Sequence, residues 1–263
     1  MLRLWEGIRY RLLEAYKNAY WSIYYYFLDN GYVVPARPVD ERILRHYCSG
    51  LERHPAVGLI REAKRISMLH EEVLLVLYHL ASVSHGRVLE IGTYVGGSTV
   101  IMAKAAGLHQ RLPVISVEPG GAANHPTIPS ADIFGDLQRN LVRFDCERLV
   151  HLHHGYSDNP RVMSDIAGEV EPGGLSVLAI DADGHVERDV ENYRSLLRDG
   201  TVLVLDDYLA PGAPEKQLLV KAWVDDAVER GEVKSFGLWG WGTWIGVYRG
   251  PTQSAKVAAV PQS

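Results

Sequence analysis

The chain has 263 residues, of which 47% are hydrophobic, and its 32 acidic side chains outnumber 27 lysines and arginines to give a net charge of -5. This mild acidity argues against nucleic acid as the main partner, because phosphate binding requires a basic surface. The two cysteines, Cys48 and Cys146, are far apart in the chain and favour a reducing, cytoplasmic setting. No apolar run reaches the roughly 18 residues of a membrane span, so no transmembrane segment is predicted.

The first 30 residues have a helical pattern and are rich in aromatic side chains, with Tyr16, Tyr20, Tyr24 and Phe27 at helical spacing. Such a stripe is typical of a helix that packs against another surface. We predict an N-terminal helical extension over residues 1–58 that serves as a homo-oligomer interface or covers a binding site. Attachment of residues 1–30 to a membrane surface is the least favoured alternative.

The pattern changes at residue 87, where short β-branched runs begin to alternate with amphipathic windows. Helical stretches are predicted before this point, near 39–51 and 55–84, and later over Val186–Arg198 and Glu215–Arg230. The predicted strands are Arg87–Gly92, Pro113–Glu118, Leu149–Gly155, Leu175–Asp181, Thr201–Asp207, Val233–Leu238 and Thr243–Arg249. Alternation of strands and helices predicts an α/β fold with a doubly wound, Rossmann-like, seven-stranded sheet over 59–250, and the last two strands predict an antiparallel edge. Residues 251–263 are predicted to form a flexible tail.

A long connection, Gly120–Ile133, separates the second strand from its helix. It contains Pro126 and Pro129 and is too long for a passive link, so we predict a functional lid.

A glycine-rich segment follows the first strand, with Gly92, Gly96 and Gly97 where the chain must turn closely around a ligand. The spacing differs from the dinucleotide pattern, because Glu90 lies at the strand end and would repel a pyrophosphate. The second strand ends in Glu118, which is placed to accept hydrogen bonds from ribose hydroxyls. The pair of acids favours a cationic nucleoside that carries an amino acid over a nicotinamide dinucleotide.

Three aspartates occur at the ends of two later strands: Asp181 after the fourth, and Asp206 and Asp207 after the fifth. Carboxylates at one edge of a sheet can hold Mg²⁺ together with substrate oxygens. The alternative is that they form turns and helix caps. His185, which follows closely, is the candidate general base.

Three further histidines, His125, His153 and His154, are open alternatives for the base. We expect strand alternation to place either His153 or His154 in the core.

These motifs, in this order, resemble the class I S-adenosylmethionine (SAM) dependent O-methyltransferases, and most closely the metal-dependent enzymes that methylate catechols or macrolide sugars. The resemblance covers roughly residues 60–249. It rests on Glu90-Ile91-Gly92-Thr93-Tyr94-Val95-Gly96-Gly97-Ser98, Val117-Glu118, Gly155-Tyr156-Ser157, Ile180-Asp181-Ala182-Asp183-Gly184-His185 and Leu205-Asp206-Asp207-Tyr208.

The resemblance implies that Glu118 binds the ribose and that the Gly92–Ser98 loop surrounds the methionine part of SAM. The expected cofactor-binding residues are Glu90, Gly92, Thr93, Tyr94, Gly96, Ser98, Glu118, Gly155, Ser157 and Asp181. Asp181 and His185 are the expected catalytic residues, Asp181, Asp206 and Asp207 the expected Mg²⁺ ligands, and a small hydroxyl-bearing sugar or catechol-like natural product the expected acceptor. One departure is that Gly184 occupies a position where metal-dependent relatives often carry a basic residue.

Three alternatives remain open from the sequence: a metal-independent methyltransferase, a nicotinamide-dependent oxidoreductase, and a non-enzymatic module that keeps the fold. Activity after chelation tests the metal-independent methyltransferase, and calorimetry with NAD(H) and SAM tests the oxidoreductase. Replacement of Asp181 and Asp206 by alanine tests the non-enzymatic module.

Overall fold

The computed structural model describes residues 41–250. The aromatic stripe of residues 1–30 and the tail 251–263 lie outside the described residues, and so do the roles predicted for them. Among the helices that are described, none is long and apolar enough to cross a membrane.

A seven-stranded sheet forms the centre of the described region, with the strand order β3-β2-β1-β4-β5-β7-β6. The strands are β1 (Arg87–Ile91), β2 (Val114–Glu118), β3 (Val150–His154), β4 (Leu175–Ile180), β5 (Val202–Leu205), β6 (Val233–Trp239) and β7 (Thr243–Tyr248). Strands β1 to β5 are parallel, whereas β7 is antiparallel to both β5 and β6. The predicted doubly wound sheet and its antiparallel edge are therefore confirmed.

Helices cover both faces of this sheet. They are α1 (Glu41–Ser49), α2 (Val57–Lys64), α3 (Glu71–Val83), α4 (Gly97–Leu108), α5 (Ile133–Arg143), α6 (Pro160–Glu169), α7 (Val186–Asn192) and α8 (Pro214–Glu229). One core cluster joins α1 to α4 with one face of the sheet, and a second joins α6, α7 and α8 with the other face. Both faces of the central strands are buried, which explains why they are almost continuously apolar in sequence.

The described part of the predicted N-terminal extension packs into the same core as the sheet. Leu44 of α1 is fully buried, and Ala56, which precedes α2, belongs to the same cluster. Residues 41–58 thus add helices to one face of the sheet.

The predicted helix over 55–84 is two helices, α2 and α3, with a break at residues 65–70. The Ser67 hydroxyl accepts a hydrogen bond from the Leu69 amide, and the His70 ring caps α3 by accepting one from Glu72. The break also lets Gly97, at the start of α4, approach closely, because a Cβ on Gly97 would lie 2.4 Å from Cβ of Ser67. Periodicity alone did not reveal this interruption.

The predicted helix over 186–198 is shorter than expected. Helix α7 ends at Asn192, and a single 3-10 turn, Arg194–Leu196, follows it. The long connection at 120–133 is held together by paired backbone hydrogen bonds between Ala123 and Ser130. Its predicted role as a lid stays a prediction.

Three buried histidines lie on the face of the sheet that is covered by α1 to α4, and we expect them to reduce the stability of the fold in acid. Burial lowers the pKa of His79 to about 3, and the pKa values of His54 and His109 to about 4. An unfolded histidine titrates near 6.5, so below this pH the unfolded chain binds protons that the folded chain does not. The free energy of unfolding is therefore highest above about pH 6.5 and falls as the pH drops towards 4. His79 alone is expected to lower it by roughly 2 kcal/mol between pH 7 and pH 5.

Urea unfolding at pH 7 and pH 5 measures this effect. The variant His79→Gln is expected to lose less stability between the two pH values than the unmodified protein. An equal loss in both proteins would show that His79 is not the source.

Candidate active site

A cavity of about 380 Å³ opens at the carboxyl edge of the sheet, where the strand order reverses between β1 and β4. Ligands bind at this position in open parallel sheets, and the volume suits a small organic molecule. Residues from the ends of β1, β2 and β4, from the adjoining loops and from helices α7 and α8 line it: Met68, Ile91, Gly92, Tyr94, Val117, Glu118, Pro119, Tyr156, Ser157, Asp181, Ala182, Asp183, Arg188 and Lys216.

The glycine loop after β1 turns through left-handed backbone conformations. The φ angles are 81° at Gly92, 51° at Tyr94 and 93° at Gly96, the last of which caps α4. A Cβ on Gly92 would lie 2.0 Å from the carbonyl oxygen of Asp181, so only glycine fits between the ends of β1 and β4. The predicted need for glycine at this turn therefore has a direct structural cause.

Glu118 binds the glycine loop from the end of β2. Its Oε2 accepts hydrogen bonds from the Thr93 amide at 3.1 Å and the Tyr94 amide at 2.8 Å, and its Oε1 accepts one from the Gly120 amide at 2.9 Å. The carboxylate also lines the cavity. The structure thus gives Glu118 a loop-positioning contact that the sequence did not predict, next to the cavity where its ribose-binding role was predicted.

Glu90 lies beneath the glycine loop and is only 2% exposed. Its carboxylate accepts hydrogen bonds from the hydroxyls of Ser98, Thr99 and Ser116. Burial outweighs these three bonds and raises the pKa of Glu90 to about 7. Glu90 and Ser98 border a small void that Asp181 and Asp206 also reach, rather than the main cavity.

The turn after β3 brings Tyr156 and Ser157 to the cavity, as predicted for Ser157. Gly155 precedes them with φ 153°. The Ser157 hydroxyl donates to the buried carboxylate of Asp189 at 2.6 Å, and Arg188 bonds to the same carboxylate. This network joins the β3 turn to α7.

The three predicted aspartates form one cluster. Asp181, Asp206 and Asp207 each offer a carboxylate oxygen, and these oxygens lie within 4.8 Å of one another. The backbone explains their proximity: the Asp181 amide donates to the Ile91 carbonyl and the Asp206 amide to the Ile180 carbonyl, which continues the sheet ladder beyond the strand ends.

The three carboxylates of the cluster repel one another because they carry the same charge and are close together. Burial and the carboxylates of Asp206 and Asp207 raise the pKa of Asp181 well above its usual range. Burial raises the pKa of Asp206 too, although the Thr243 hydroxyl, which donates to it, opposes the rise. A cation bound between these oxygens would relieve the repulsion.

The candidate bases lie away from the cavity lining. His185 is exposed at the start of α7, where its amide donates to Asp183. The His125 ring accepts hydrogen bonds from the Thr127 and Ile128 amides and so stabilises its own loop.

The expectation that His153 or His154 lies in the core is wrong. His153 is partly exposed and bonds to Glu169 at 3.0 Å, and His154 is exposed and stacks on Phe134 with ring centroids 4.0 Å apart. The physical reason is that β3 is the edge strand of the sheet, so its side chains are only partly covered.

Four residues that line the cavity lie outside the motifs recognised in the sequence: Met68, Pro119, Arg188 and Lys216. Met68 lies in the break between α2 and α3, and Lys216 lies in the first turn of α8. Neither belongs to a motif, so only the tertiary structure identifies them.

Comparison with known proteins gives one match to a protein family. Residues 89–208 match a family model described as a methyltransferase domain. No curated protein matches the chain.

Solved structures of similar fold include a Staphylococcus aureus protein provisionally assigned as a caffeoyl-CoA O-methyltransferase (TM-score 0.56, 15% identity, covering 79% of this chain and 98% of that one). Another is the SAM complex of the O-methyltransferase TomG of Streptomyces achromogenes (TM-score 0.52, 18% identity, 82% and 93% covered). A third is the SAH-bound methyltransferase PaMTH1 of Podospora anserina (TM-score 0.52, 14% identity, 88% and 96% covered).

The sheet order and the glycine loop at its reversal point define a class I methyltransferase fold. Residues 89–208 match the methyltransferase domain model, and the fold predicted from the sequence is confirmed.

Proposed function

We propose that this protein transfers a methyl group from SAM to a hydroxyl oxygen of a small acceptor, with a divalent cation such as Mg²⁺ held by Asp181, Asp206 and Asp207. The observation that carries the proposal is the position of the three-carboxylate cluster beside a cavity bordered by the glycine loop. The complexes of TomG with SAM and of PaMTH1 with SAH support the choice of cofactor.

The cofactor would bind in the part of the cavity that is lined by the ends of β1 and β2. In this proposal Glu118 accepts from the ribose hydroxyls, while the loop from Gly92 to Ser98, together with the turn from Gly155 to Ser157, surrounds the rest of the molecule. Glu90 supports the loop from below through its bonds to Ser98 and Thr99.

The donor set of the cluster fits a hard divalent cation. Three carboxylates at close range supply oxygen ligands, which Mg²⁺ prefers, and the raised pKa of Asp181 reflects negative charge that a cation would offset. A bound cation would orient an acceptor hydroxyl and lower its pKa. The protein's own contribution is placement, because displacement at the methyl carbon requires the acceptor oxygen in line with the leaving sulfur.

The predicted base, His185, is exposed and does not line the cavity. Its catalytic role stays a prediction, and the cavity geometry does not support it. The ionisable side chains that line the cavity beyond the end of β4 are Asp181, Asp183, Arg188 and Lys216.

Chelation tests the cation requirement directly. We expect SAM to bind in calorimetry, and methyl transfer from labelled SAM to catechol or sugar acceptors to fall at least about 100-fold in EDTA and to return with Mg²⁺. Full activity in EDTA would favour the metal-independent alternative. Binding of NAD(H) without SAM would favour the oxidoreductase alternative.

The non-enzymatic alternative needs a separate test. It requires that the cellular role survive replacement of Asp181 and Asp206 by alanine, whereas our proposal requires its loss.

A further inference from the structure

A lysine from outside the predicted motifs faces the acidic cluster. The Nζ of Lys216 lies 3.4 Å from Oδ2 of Asp207, and its side chain is 39% exposed. Its positive charge acts against the raised pKa of both Asp181 and Asp206. Lys216 therefore interacts electrostatically with all three carboxylates.

The other cation that lines the described cavity is committed elsewhere. Arg188 donates two hydrogen bonds to Asp183, at 2.9 Å and 3.1 Å, and further bonds to the buried Asp189. Within the described residues, the charge that opposes the cluster from the cavity wall is thus the single ammonium of Lys216.

The fold brings Lys216 to this position through Gly184. This glycine has φ 89°, and a Cβ on it would lie 3.0 Å from Cα of Lys216. The first turn of α8 consequently packs against the turn that follows β4. Gln217 fixes the same turn, because its side chain accepts a hydrogen bond from the Ala210 amide at 2.7 Å.

We propose that Lys216 is a tethered cation that pairs with the acidic cluster in the metal-free protein and that a divalent cation must displace to bind. The inference rests on the proposed metal-dependent function. An ammonium and a metal ion would compete for the same oxygen of Asp207, and their like charges would repel each other if both lay beside it. The flexible, partly exposed lysine can leave Asp207 without disturbing the core.

The consequence is a threshold for metal loading. Lys216 stabilises the cluster when no metal is present and raises the metal concentration that is needed to fill it. This effect on metal binding depends on the positive charge alone. Arginine at position 216 should therefore preserve it, and a neutral side chain should remove it.

Titration of the 263-residue protein with MnCl₂ by calorimetry tests the proposal, with Mn²⁺ as the probe because its unbound form is also measured by electron paramagnetic resonance. We expect Lys216→Gln to bind Mn²⁺ about tenfold more tightly than the unmodified protein, and Lys216→Arg to bind with nearly unchanged affinity. Lys234→Gln is the matched control. Lys234 is exposed and lies level with the start of β5, whereas the acidic cluster lies beyond the end of that strand.

A second readout separates this role from a merely structural one. In EDTA, Lys216→Gln is expected to melt at a lower temperature than the unmodified protein, because the carboxylates lose their cation, and MnCl₂ is expected to reverse the loss. In an Asp207→Asn background, Lys216→Gln should change the Mn²⁺ affinity by less than about threefold.

The outcomes distinguish the inference from the function on which it rests. Equal or weaker Mn²⁺ binding by Lys216→Gln overturns the inference while leaving the metal site in place. Absence of Mn²⁺ binding in every variant overturns both.

Discussion

Replacement of Asp181 by asparagine is expected to reduce methyl transfer by about a thousandfold or more. Asp181 lines the cavity and belongs to the acidic cluster, so it lies where the cofactor, the acceptor and a cation would meet. Asparagine has nearly the same shape, and the main-chain bond from residue 181 to the Ile91 carbonyl is unaffected by the change. Steady-state kinetics with labelled SAM measures the loss.

The same variant should be more stable than the unmodified protein when metal is absent. Because the folded-state pKa of Asp181 is raised, its charged form destabilises the fold at neutral pH, and this penalty lessens as the pH falls towards the raised pKa. Asp181→Asn removes the penalty, so its melting temperature in EDTA at pH 7.5 should be higher. Loss of activity with gain of stability is typical of a functional carboxylate held among like charges.

Asp199→Asn is the matched control, because Asp199 is exposed, pairs with Arg249 and lies before the start of β5, whereas Asp206 and Asp207 follow its end. It should change neither activity nor melting temperature appreciably. Unchanged activity in Asp181→Asn would exclude both the proposed cation site and a catalytic role for this aspartate.

Replacement of Gly92 by alanine is expected to abolish cofactor binding and to destabilise the fold by at least about 3 kcal/mol. The added Cβ would lie 2.0 Å from the Asp181 carbonyl oxygen, and the φ of 81° is one that alanine rarely adopts. Relief of the overlap requires the ends of β1 and β4 to separate, which moves the glycine loop and Asp181 together. Calorimetry with SAM and urea unfolding measure the two effects.

Gly168→Ala provides the comparison. Gly168 lies in α6, and a Cβ there would meet nothing within 4 Å. Alanine favours helix more than glycine does, so this variant should be slightly more stable, by roughly 0.5–1 kcal/mol, and should bind SAM normally. If Gly92→Ala behaved in the same way, the close packing of β1 and β4 at this turn would be refuted.

The order of elements and the positions of the acids could be predicted from the sequence because they depend on local patterns. Apolar runs flanked by turns identified all seven strands, and each predicted range overlaps the observed one. Since the carboxyl ends of parallel strands share one edge, the positions of Glu118, Asp181 and Asp206 at strand ends were enough to place all three at the same edge of the sheet. The break between α2 and α3 was missed because a continuous apolar pattern runs through it.

What the sequence determined alone is the glycine loop, the strand-end carboxylates and the class of fold, all of which follow from residue type and spacing along the chain. Tertiary structure alone decided which other side chains meet them. Lys216 reaches Asp207 because α8 packs against Gly184, and His185 misses the cavity because its side chain is exposed where α7 begins. Contacts between distant segments depend on how helices pack across the sheet, and no local pattern specifies that packing.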